Sequence, residues 1–419
     1  MTPLNIAMLS IHSSPLGELG KRNNGGMSVY IIELAAELEK LGHRIDIFTL
    51  RRRHHQEPIV AMGERTRLVH IDVGGIDDLT KTEIFARLET FYSKLELFRR
   101  DEKLVYDLVH SHYWLSGQVG EWAQIRWQVP HMVTFHSLGM IKKQVLKAPR
   151  EPDLRVATEK KVAHSSDCVI VPTRRELGNM AYYKTPRDKM TLIPCGVNLE
   201  RFKPHAKKEA RRHLSLPMDE ALLLFVGRFT SEKGLDRILN AIVLINPEFR
   251  PHLVIVGGDG DQDEAMIECR ELAQRLGIDA QVSFVGRIPQ DELPKYYSAA
   301  DLMVFPSLYE SFGLVALESL ACGTPVVSTP VGALEHVILQ GKTGEVVTDP
   351  GPQALADGIN RVLARAQEGN ISAQEVRASV LNFDWAHIAN AISNEYLRLI
   401  HAKTEKEQNA AHREKGVLN

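Results

Sequence analysis

The sequence predicts an α/β protein made of two Rossmann-like domains, each a doubly wound parallel sheet, that face each other across a cleft. Short apolar runs alternate with helical patterns, which is typical of parallel strands covered by helices on both faces, and this alternation occurs twice along the chain. A length of 419 residues exceeds what one ordinary core supports, whereas domains of about 200 residues are common. We predict domains at 1–200 and 201–385, and at 386–419 a helix that returns toward the first domain and ends in a frayed tail.

Each half supplies its own strands and helices. In the first half, the apolar runs predict strands at residues 5–10, 44–49, 108–111, 131–135, 168–172 and 191–197, with helices at 28–41 and 117–128. In the second half, they predict strands at 221–226, 251–256, 282–284, 302–305 and 325–328, with helices at 235–245, 263–276, 293–299 and 313–321. Between the halves, 198–217 reads as a linker with a short helix at 207–214, and an amphipathic helix is expected from Trp385 to His401. Sheets of this type bind ligands at the carboxyl ends of their strands, so we expect the site in the cleft.

Composition and charge exclude several classes of protein. The net charge of −2 provides no general attraction to nucleic acid or to an anionic membrane. The four cysteines form no Cys-x-x-Cys pair, which favours reduced thiols in the cytosol and indicates no structural metal. The amino terminus has no basic segment of the kind that starts an export signal, and no apolar run is long enough to span a membrane. We therefore expect a cytoplasmic protein without stable membrane insertion.

A glycine pair precedes the first predicted helix. Gly25 and Gly26 follow the first strand and its loop, directly before the helix expected from Ser28. Paired glycines let backbone amides approach an anion closely, and the helix dipole adds to the attraction. The pair therefore predicts an anion-binding loop, with a flexible surface turn as the alternative.

Two cations follow the first strand of the second half. Arg228 and Lys233 lie five residues apart in the segment Gly227–Gly234. A guanidinium can bind one phosphate through two hydrogen bonds while an ammonium binds its neighbour as a point charge. This spacing predicts a diphosphate site, although loop charges are more often simply solvated.

Two acids flank a turn and a helix start in the second half. Glu310 precedes the predicted helix and Glu318 lies within it, with Gly313 between them. The apolar residues of the segment have the spacing of a buried helix, so packing alone would explain them. Packing does not explain the two acids. We therefore predict that both carboxylates point toward the cleft.

With these motifs the chain resembles the family 4 glycosyltransferases of the GT-B fold over nearly its whole length. The motifs that carry the resemblance are Glu310–Glu318, Gly227–Lys233 and Gly25-Gly26. The first half is most similar to the MshA-type D-inositol-3-phosphate glycosyltransferases, through Ser13-Ser14-Pro15 and His110–Gly117. The segment His136–Gly139 is equally similar to the sucrose-phosphate synthases.

The resemblance implies a donor site for a nucleotide sugar, with a UDP-sugar favoured and no further cofactor or metal required. Arg228 and Lys233 would hold the donor diphosphate. The backbone around Arg287 and Ile288 would meet the base, and Glu318 would bind the ribose hydroxyls. Gly25 and Gly26 are also expected to bind the donor.

The donor sugar would be held by a second group of residues. Glu310 and the backbone amides of Phe312, Gly313 and Leu314 would engage its hydroxyls, and His136 would lie near C6. The catalytic assignment comprises His136, Glu310 and the two cations of the diphosphate site, Arg228 and Lys233.

The acceptor is expected to be a small phosphorylated polyol or sugar. In the MshA-type enzymes a lysine, a tyrosine, a threonine and an arginine bind the acceptor phosphate. Tyr113 and Arg155 match two of these residues, Ser137 stands where threonine is usual, and Lys81 is the candidate lysine in the segment Gly75–Lys81. The alternative for Arg155 is a weak ion pair with Glu151 or Glu159 on an exposed helix.

Family membership implies a retaining hexosyl transfer without a protein nucleophile. The rival interpretations are a nucleotide-sugar epimerase or phosphorylase on the same architecture, a non-catalytic nucleotide-sugar-binding protein, and transfer to fructose 6-phosphate, a neutral sugar or a lipid. The basic stretch Lys142–Lys147 permits the lipid alternative. The sequence leaves the choice between a monomer and a homodimer open.

Overall fold

The computed structural model describes residues 2–17, 25–53, 56–74, 79–146, 152–258, 260 and 263–417. They form two compact units. The first comprises residues 2–17, 26–194 and 385–417, and the second comprises residues 195–384 together with Gly25. Each unit contains its own sheet.

The first unit is built on an eight-stranded sheet with the order β3-β4-β2-β1-β5-β6-β7-β8. Its strands are β1 (Asn5–Leu9), β2 (Arg44–Leu50), β3 (Ile59–Ala61), β4 (Thr66–Ile71), β5 (Leu108–His112), β6 (His131–Thr134), β7 (Cys168–Val171) and β8 (Met190–Leu192). All neighbours are parallel except β3, which pairs antiparallel with β4 at the edge. The central strands β1 and β5 are almost entirely buried, as expected for parallel strands covered by helices on both faces, although β5 contains the polar residues His110, Ser111 and His112.

Seven helices of the first unit lie between its strands. They are α1 (Gly26–Lys40), α2 (Lys81–Phe85), α3 (Leu88–Asp101), α4 (Tyr113–Trp127), α5 (Gly139–Leu146), α6 (Asp153–Ser165) and α7 (Arg174–Asn179). Helix α2 begins with a capping box, in which Thr80 and Glu83 satisfy each other's backbone amides. Helix α4 starts four residues earlier than predicted, so Tyr113 is its first residue and directly follows β5.

The second unit has a six-stranded, fully parallel sheet with the order β11-β10-β9-β12-β13-β14. Its strands are β9 (Ala221–Val226), β10 (Pro251–Val256), β11 (Val282–Gly286), β12 (Leu302–Phe305), β13 (Val326–Ser328) and β14 (Gly344–Val346). Its helices are α8 (Lys207–His213), α9 (Leu235–Ile242), α10 (Glu264–Leu276), α11 (Leu293–Ala299), α12 (Leu314–Ala321), α13 (Leu334–Val337), α14 (Pro352–Gln367) and α15 (Ala373–Ala378). The two strands that carry the diphosphate and Glu-x7-Glu motifs, β9 and β12, are adjacent, which brings the loops that follow them together.

The last helix, α16 (Trp385–Val417), belongs to the first unit, where it packs against α1. Its Tyr396 hydroxyl lies 2.7 Å from Nδ1 of His110, and Ser393 Oγ lies 2.8 Å from Nε2 of His43. The predicted end of this helix at His401 is wrong, since the helix runs to Val417; the frayed tail stays a prediction. The helix continues because the following residues are mostly strong helix formers, lysine, glutamate, glutamine and alanine.

Candidate active site

In the second unit, the cation and the carboxylate predicted to act on the donor are in direct contact. Nζ of Lys233 lies 2.5 Å from Oε2 of Glu310, and both side chains are mostly buried. Lys233 also lies over the ring of Phe305, the last residue of β12, at 5.7 Å from its centroid. Two motifs separated by 77 residues in the sequence therefore converge at the carboxyl ends of adjacent strands.

The ionisation of Glu310 is governed by opposing effects. Burial raises the pKa of this carboxyl, but Lys233, the backbone amide of Ser311 and the nearby charge of Arg228 together lower it below its usual value. Glu310 is consequently a carboxylate at neutral pH, able to accept hydrogen bonds from sugar hydroxyls.

Close backbone packing fixes the loop that carries Lys233. Gly234 has a φ of +67°, and a Cβ atom there would lie 2.3 Å from the carbonyl oxygen of Pro306. The amide of Leu308 donates to the carbonyl of Glu232 at 2.8 Å. The loops after β9 and β12 are thus held to each other by main-chain contacts.

The start of α12 supplies the predicted anion-facing amides. Gly313 has a φ of +106° and is the residue that caps the helix, and Leu314 is its first member. Phe312 is buried, and its carbonyl accepts from the amide of Ala333 at 2.9 Å. Within the helix, Glu318 is buried and accepts a 2.8 Å hydrogen bond from the hydroxyl of Tyr297.

The residues predicted to contact the base follow the edge strand of the same sheet, β11. Arg287 and Ile288 come directly after β11, whose last residue, Gly286, has a φ of +82° and accepts from the amide of Gly257. A Cβ atom on Gly257 would lie 1.9 Å from the carbonyl oxygen of Gly227, the neighbour of Arg228. Gly257 therefore contacts both the loop that carries Arg228 and the loop that carries Arg287.

In the first unit, the four residues predicted to bind the acceptor phosphate gather at one place. The guanidinium carbon of Arg155 lies 4.9 Å from the ring centroid of Tyr113, and Nζ of Lys81 lies 5.3 Å from the same centroid. Nη2 of Arg155 donates to the carbonyl oxygen and the Oγ of Ser137 at 2.8 and 3.0 Å. Two cations, Lys81 and Arg155, thus lie over the ring of Tyr113, and the hydroxyl of Ser137 is hydrogen-bonded to one of them.

The environment of Arg155 corrects one expectation. Arg155 does pair with Glu159, at 2.6 Å between Nε and Oε1, but both side chains are buried, so the exposed-helix alternative is wrong. Its other proposed partner, Glu151, lies outside the described residues, as do Gly75–Asp78 and Lys147. A buried pair of this kind holds the guanidinium in one orientation.

Two residues near this group were missed by sequence reasoning. The imidazole of His12 stacks on Tyr113 with 4.3 Å between centroids, and Nη2 of Arg52 donates to the carbonyl of His12 at 2.6 Å. Burial, reinforced by Lys81, Arg52 and Arg155, holds the pKa of His12 well below its usual value. Nδ1 of His12 is buried with no hydrogen-bond partner within the described part of the chain. The available signal was the position of His12 three residues after the central strand β1.

His136 follows β6 in a left-handed conformation, with φ at +59°. Its Nε2 lies 2.9 Å from Nδ1 of His112, and its ring meets that of Tyr30 edge-on at 4.9 Å. Burial lowers the pKa of His136 to about 3. The imidazole is therefore neutral at physiological pH and serves as a hydrogen-bonding group.

The glycine pair lies at the start of α1. Gly26 is the first residue of the helix, and none of the described residues lies within 4 Å of a Cβ atom placed on Gly25. Contacts with those residues therefore do not require glycine at position 25. Nearby, Ser28 is buried with its Oγ 3.0 Å from the Oγ of Ser13.

Two features are absent from the described residues. No group of three or more His, Cys, Asp or Glu side chains is arranged to hold a metal ion. No helix there has the length and apolar character needed to cross a membrane.

Comparison with known proteins identifies two domain families in the chain. A profile described as "Glycosyl transferase 4-like domain" matches residues 25–196, and one described as "Glycosyl transferases group 1" matches residues 206–376. A curated D-inositol 3-phosphate glycosyltransferase 2 from Catenulispora acidiphila is 38% identical over 411 residues, covering 95% of this chain and 96% of the relative. A D-inositol 3-phosphate glycosyltransferase from Corynebacterium glutamicum is 34% identical over 406 residues, with 94% and 96% covered.

Solved structures show the same architecture. Sucrose-phosphate synthase from Thermosynechococcus elongatus superposes with a TM-score of 0.87 at 33% identity, covering 95% of this chain and all of that one. HepE from Anabaena in complex with UDP-glucose has a TM-score of 0.75 at 19% identity, with 94% and 100% covered, and this likeness shows the fold alone. The paired parallel-sheet units, the matched domain families and the full-length relatives together establish that this chain is a family 4 glycosyltransferase of the GT-B fold.

Proposed function

We propose that the protein transfers a hexosyl group from a nucleotide sugar, with a UDP-sugar favoured, to a small phosphorylated acceptor such as inositol phosphate, with retention of anomeric configuration. The observation that carries this proposal is the convergence of Lys81, Tyr113, Ser137 and Arg155 in the first unit. Two cations and two hydroxyls around one ring suit a phosphate group.

The second unit supplies the donor half of the proposal. Arg228 and Lys233 would bind the diphosphate, and the amides at the start of α12 would face negative charge that builds on it. Glu310, ionised and fixed by Lys233, would accept hydrogen bonds from the sugar. A UDP-sugar is favoured because the resemblance of the chain's motifs to those of the inositol phosphate enzymes implies such a donor.

The proposed reaction breaks the bond between the anomeric carbon and the diphosphate oxygen and forms a bond from the same carbon to an acceptor hydroxyl. The sugar passes through an oxocarbenium-like transition state, and the acceptor attacks on the face that the diphosphate leaves. The departing phosphate oxygen takes the hydroxyl proton, so no protein nucleophile is needed. The chain contributes electrostatic stabilisation of the leaving group.

Transfer to fructose 6-phosphate is the second candidate. It is supported by the likeness to sucrose-phosphate synthase and by Ser137, which replaces the threonine usual in the inositol phosphate enzymes. Inositol phosphate is favoured because full-length curated relatives carry that activity in their names.

The test is a two-stage screen. UDP-, GDP- and ADP-sugars are first compared for thermal stabilisation of the protein, since a ligand that binds the folded state raises the melting temperature. The best donor is then incubated with inositol 3-phosphate, fructose 6-phosphate, free inositol and free fructose, and products are identified by mass spectrometry. We expect a glycosylated phosphate and almost no product from either neutral analogue, because a site built to bind a phosphate group discriminates strongly against an analogue that lacks it. Equal transfer to free inositol or free fructose would exclude the phosphate site.

Arg155→Ala tests the acceptor site directly, provided that the charge left on Glu159 is controlled. Removing one partner of a buried ion pair costs about 3–5 kcal/mol of stability. The neutral double variant Arg155→Ala with Glu159→Gln should therefore be compared with the single variant. Both should lose transfer to the phosphorylated acceptor while hydrolysing the donor at the wild-type rate, and unchanged acceptor kinetics in the folded double variant would refute the assignment.

A further inference from the structure

Glu159 is a fully buried carboxylate that receives hydrogen bonds from three directions. Nε of Arg155 donates to it at 2.6 Å, and the hydroxyl of Tyr183 donates at 2.5 Å. The backbone amide of Gly139 lies 2.9 and 3.1 Å from its two oxygens. Four donor–acceptor contacts thus fix a charge that touches no solvent.

The same ion pair holds both ends of a three-residue segment. Arg155 binds the carbonyl and hydroxyl of Ser137 through Nη2, while Glu159 binds the amide of Gly139. This segment follows His136 directly. A Cβ atom on Gly139 would lie 3.0 Å from Cδ and Nε of Arg155, so the glycine allows the pair to pack against the segment.

Contacts with Glu159 and Ser137 therefore fix the orientation of the Arg155 guanidinium. Nε is used by Glu159 and Nη2 by Ser137, and the guanidinium lies over the ring of Tyr113. An arginine without such partners samples many rotamers, and holding it in one orientation reduces the entropy lost when a ligand binds. Glu159 also balances the positive charge that would otherwise be buried alone.

We propose that Glu159 is a positioning residue for the acceptor phosphate, which acts by holding Arg155 in the orientation that the phosphate requires and is itself supported by Tyr183. This inference rests on the proposed function. Glu159 does not touch the phosphate, so its loss should weaken acceptor binding more than it slows transfer at saturation. A purely structural role, such as holding α6 against the loop after β6, would instead lower both reactions of the enzyme together.

The variants are Glu159→Gln, Tyr183→Phe and Gly139→Ala. Glu159→Gln removes the charge of Glu159 and keeps the shape of the side chain. Tyr183→Phe removes one hydrogen-bond donor to Glu159. Gly139→Ala adds a methyl group that crowds the ion pair and removes none of its partners. The control is Glu121→Gln, because Glu121 is another largely buried carboxylate of the first unit, paired with Lys161 at 2.5 Å and with Gln118 at 2.9 Å.

For each variant, KM and kcat are measured with inositol 3-phosphate and fructose 6-phosphate, together with donor hydrolysis in the absence of acceptor. In Glu159→Gln we expect KM for the phosphorylated acceptor to rise on the order of 10-fold or more, because a small misplacement of a binding group has large kinetic effects. Saturating kcat and donor hydrolysis should stay within about threefold of wild type. Tyr183→Phe and Gly139→Ala should show smaller effects in the same direction, and Glu121→Gln none.

Three results would overturn the proposal. The first is an unchanged KM for the phosphorylated acceptor in Glu159→Gln. If Glu159→Gln does not fold, an unchanged KM in both Tyr183→Phe and Gly139→Ala has the same meaning. The second is an equal loss of transfer and donor hydrolysis. The third is a further loss of the residual transfer of Arg155→Ala when Glu159→Gln is added, since a residue that acts only through Arg155 should have no further effect there. If the wild type transfers to neither phosphate, the proposed function fails as well, whereas transfer with an unaffected KM refutes the role of Glu159 alone.

Discussion

Lys233 and Glu310 form an ion pair in which their charges balance each other. Their charged atoms lie 2.5 Å apart, and their side chains are only 18% and 23% exposed. In the proposed reaction the lysine binds the diphosphate and the carboxylate binds the sugar, so each keeps the other in place before the donor arrives. Such preorganisation reduces the rearrangement needed when charge develops on the leaving group.

Replacing Lys233 by alanine should lower turnover on the order of 100-fold or more, because its charge acts mainly in the transition state. Circular dichroism and the melting temperature check that the variant folds. Lys207→Ala is the matched control, since Lys207 also pairs with an acid of the second unit, Asp301, at 2.9 Å. Its turnover should stay within about twofold of wild type. Normal turnover in folded Lys233→Ala would remove this lysine from the mechanism.

Glu310→Gln should lose most of its turnover while it binds UDP as well as the wild type. The carboxylate faces the sugar in our assignment, and its neutralisation leaves Lys233 free to bind phosphate. Calorimetric titration with UDP measures the affinity, and Glu292→Gln, which removes an acid paired with Lys295 at 2.7 Å, serves as the control. A parallel loss of UDP affinity would contradict a sugar-binding role.

Gly25→Ala should fold normally and yet bind the donor on the order of 10-fold more weakly, because an added methyl group blocks close approach of the backbone to an anion. Space is available for the methyl group in the protein itself, as it is at Gly178. Gly178→Ala is therefore the control for the substitution. If both variants bind the donor equally well, Gly25 is an ordinary turn residue.

The protein should lose stability between pH 7.5 and pH 5.5. Burial is the largest cause that lowers the pKa of His110, His131 and His136 to about 3, whereas an unfolded histidine titrates near 6.5. The unfolded chain thus binds more protons below pH 6.5, and each histidine removes about 1.4 kcal/mol by pH 5.5. Urea denaturation at the two pH values measures the change. His131→Gln should reduce it by about 1.4 kcal/mol, and the exposed His401→Gln should not.

Transfer should persist in EDTA. Arg228, Lys233 and the amides at the start of α12 supply the positive charge that a divalent ion would otherwise bring to the diphosphate. Product formation is followed in EDTA with and without added magnesium. Complete inhibition that magnesium reverses would show that a metal ion is required.

Strands made of continuous buried apolar residues were predictable from the sequence. Leu302–Phe305 has the predicted bounds, because both faces of the strand are covered. The edge strand Ile59–Ala61 and the last strand Gly344–Val346 were missed, since three residues are too few to show a period. Strand Thr66–Ile71 was missed because Arg67 and His70 interrupt its apolar pattern; Asp46 pairs with Arg67 at 2.6 Å.

In the site, too, the features that depend on local sequence could be predicted, whereas those that depend on contacts between distant residues could not. Lys233 and Glu310 could be placed from the strands that precede them, because parallel strands end at one edge. The spacing of Arg155 and Glu159 was visible in the sequence, but its burial was not. That burial depends on contacts from Gly139 and Tyr183, which no local pattern connects to α6.

The position of α16 has a consequence for biosynthesis. The first unit contains residues that precede the second unit in the sequence, but its helix α16 comes from a segment that the ribosome synthesises after the whole of the second unit. Until Trp385 and Tyr396 emerge, Tyr30 lacks one of its edge-on ring contacts and His110 lacks one of its two hydroxyl partners. The second unit, encoded almost entirely between these segments, can complete its fold earlier. We therefore expect the carboxyl-terminal half to mature first on the nascent chain, and a ribosome stalled before residue 385 to display a first unit that proteases cut readily.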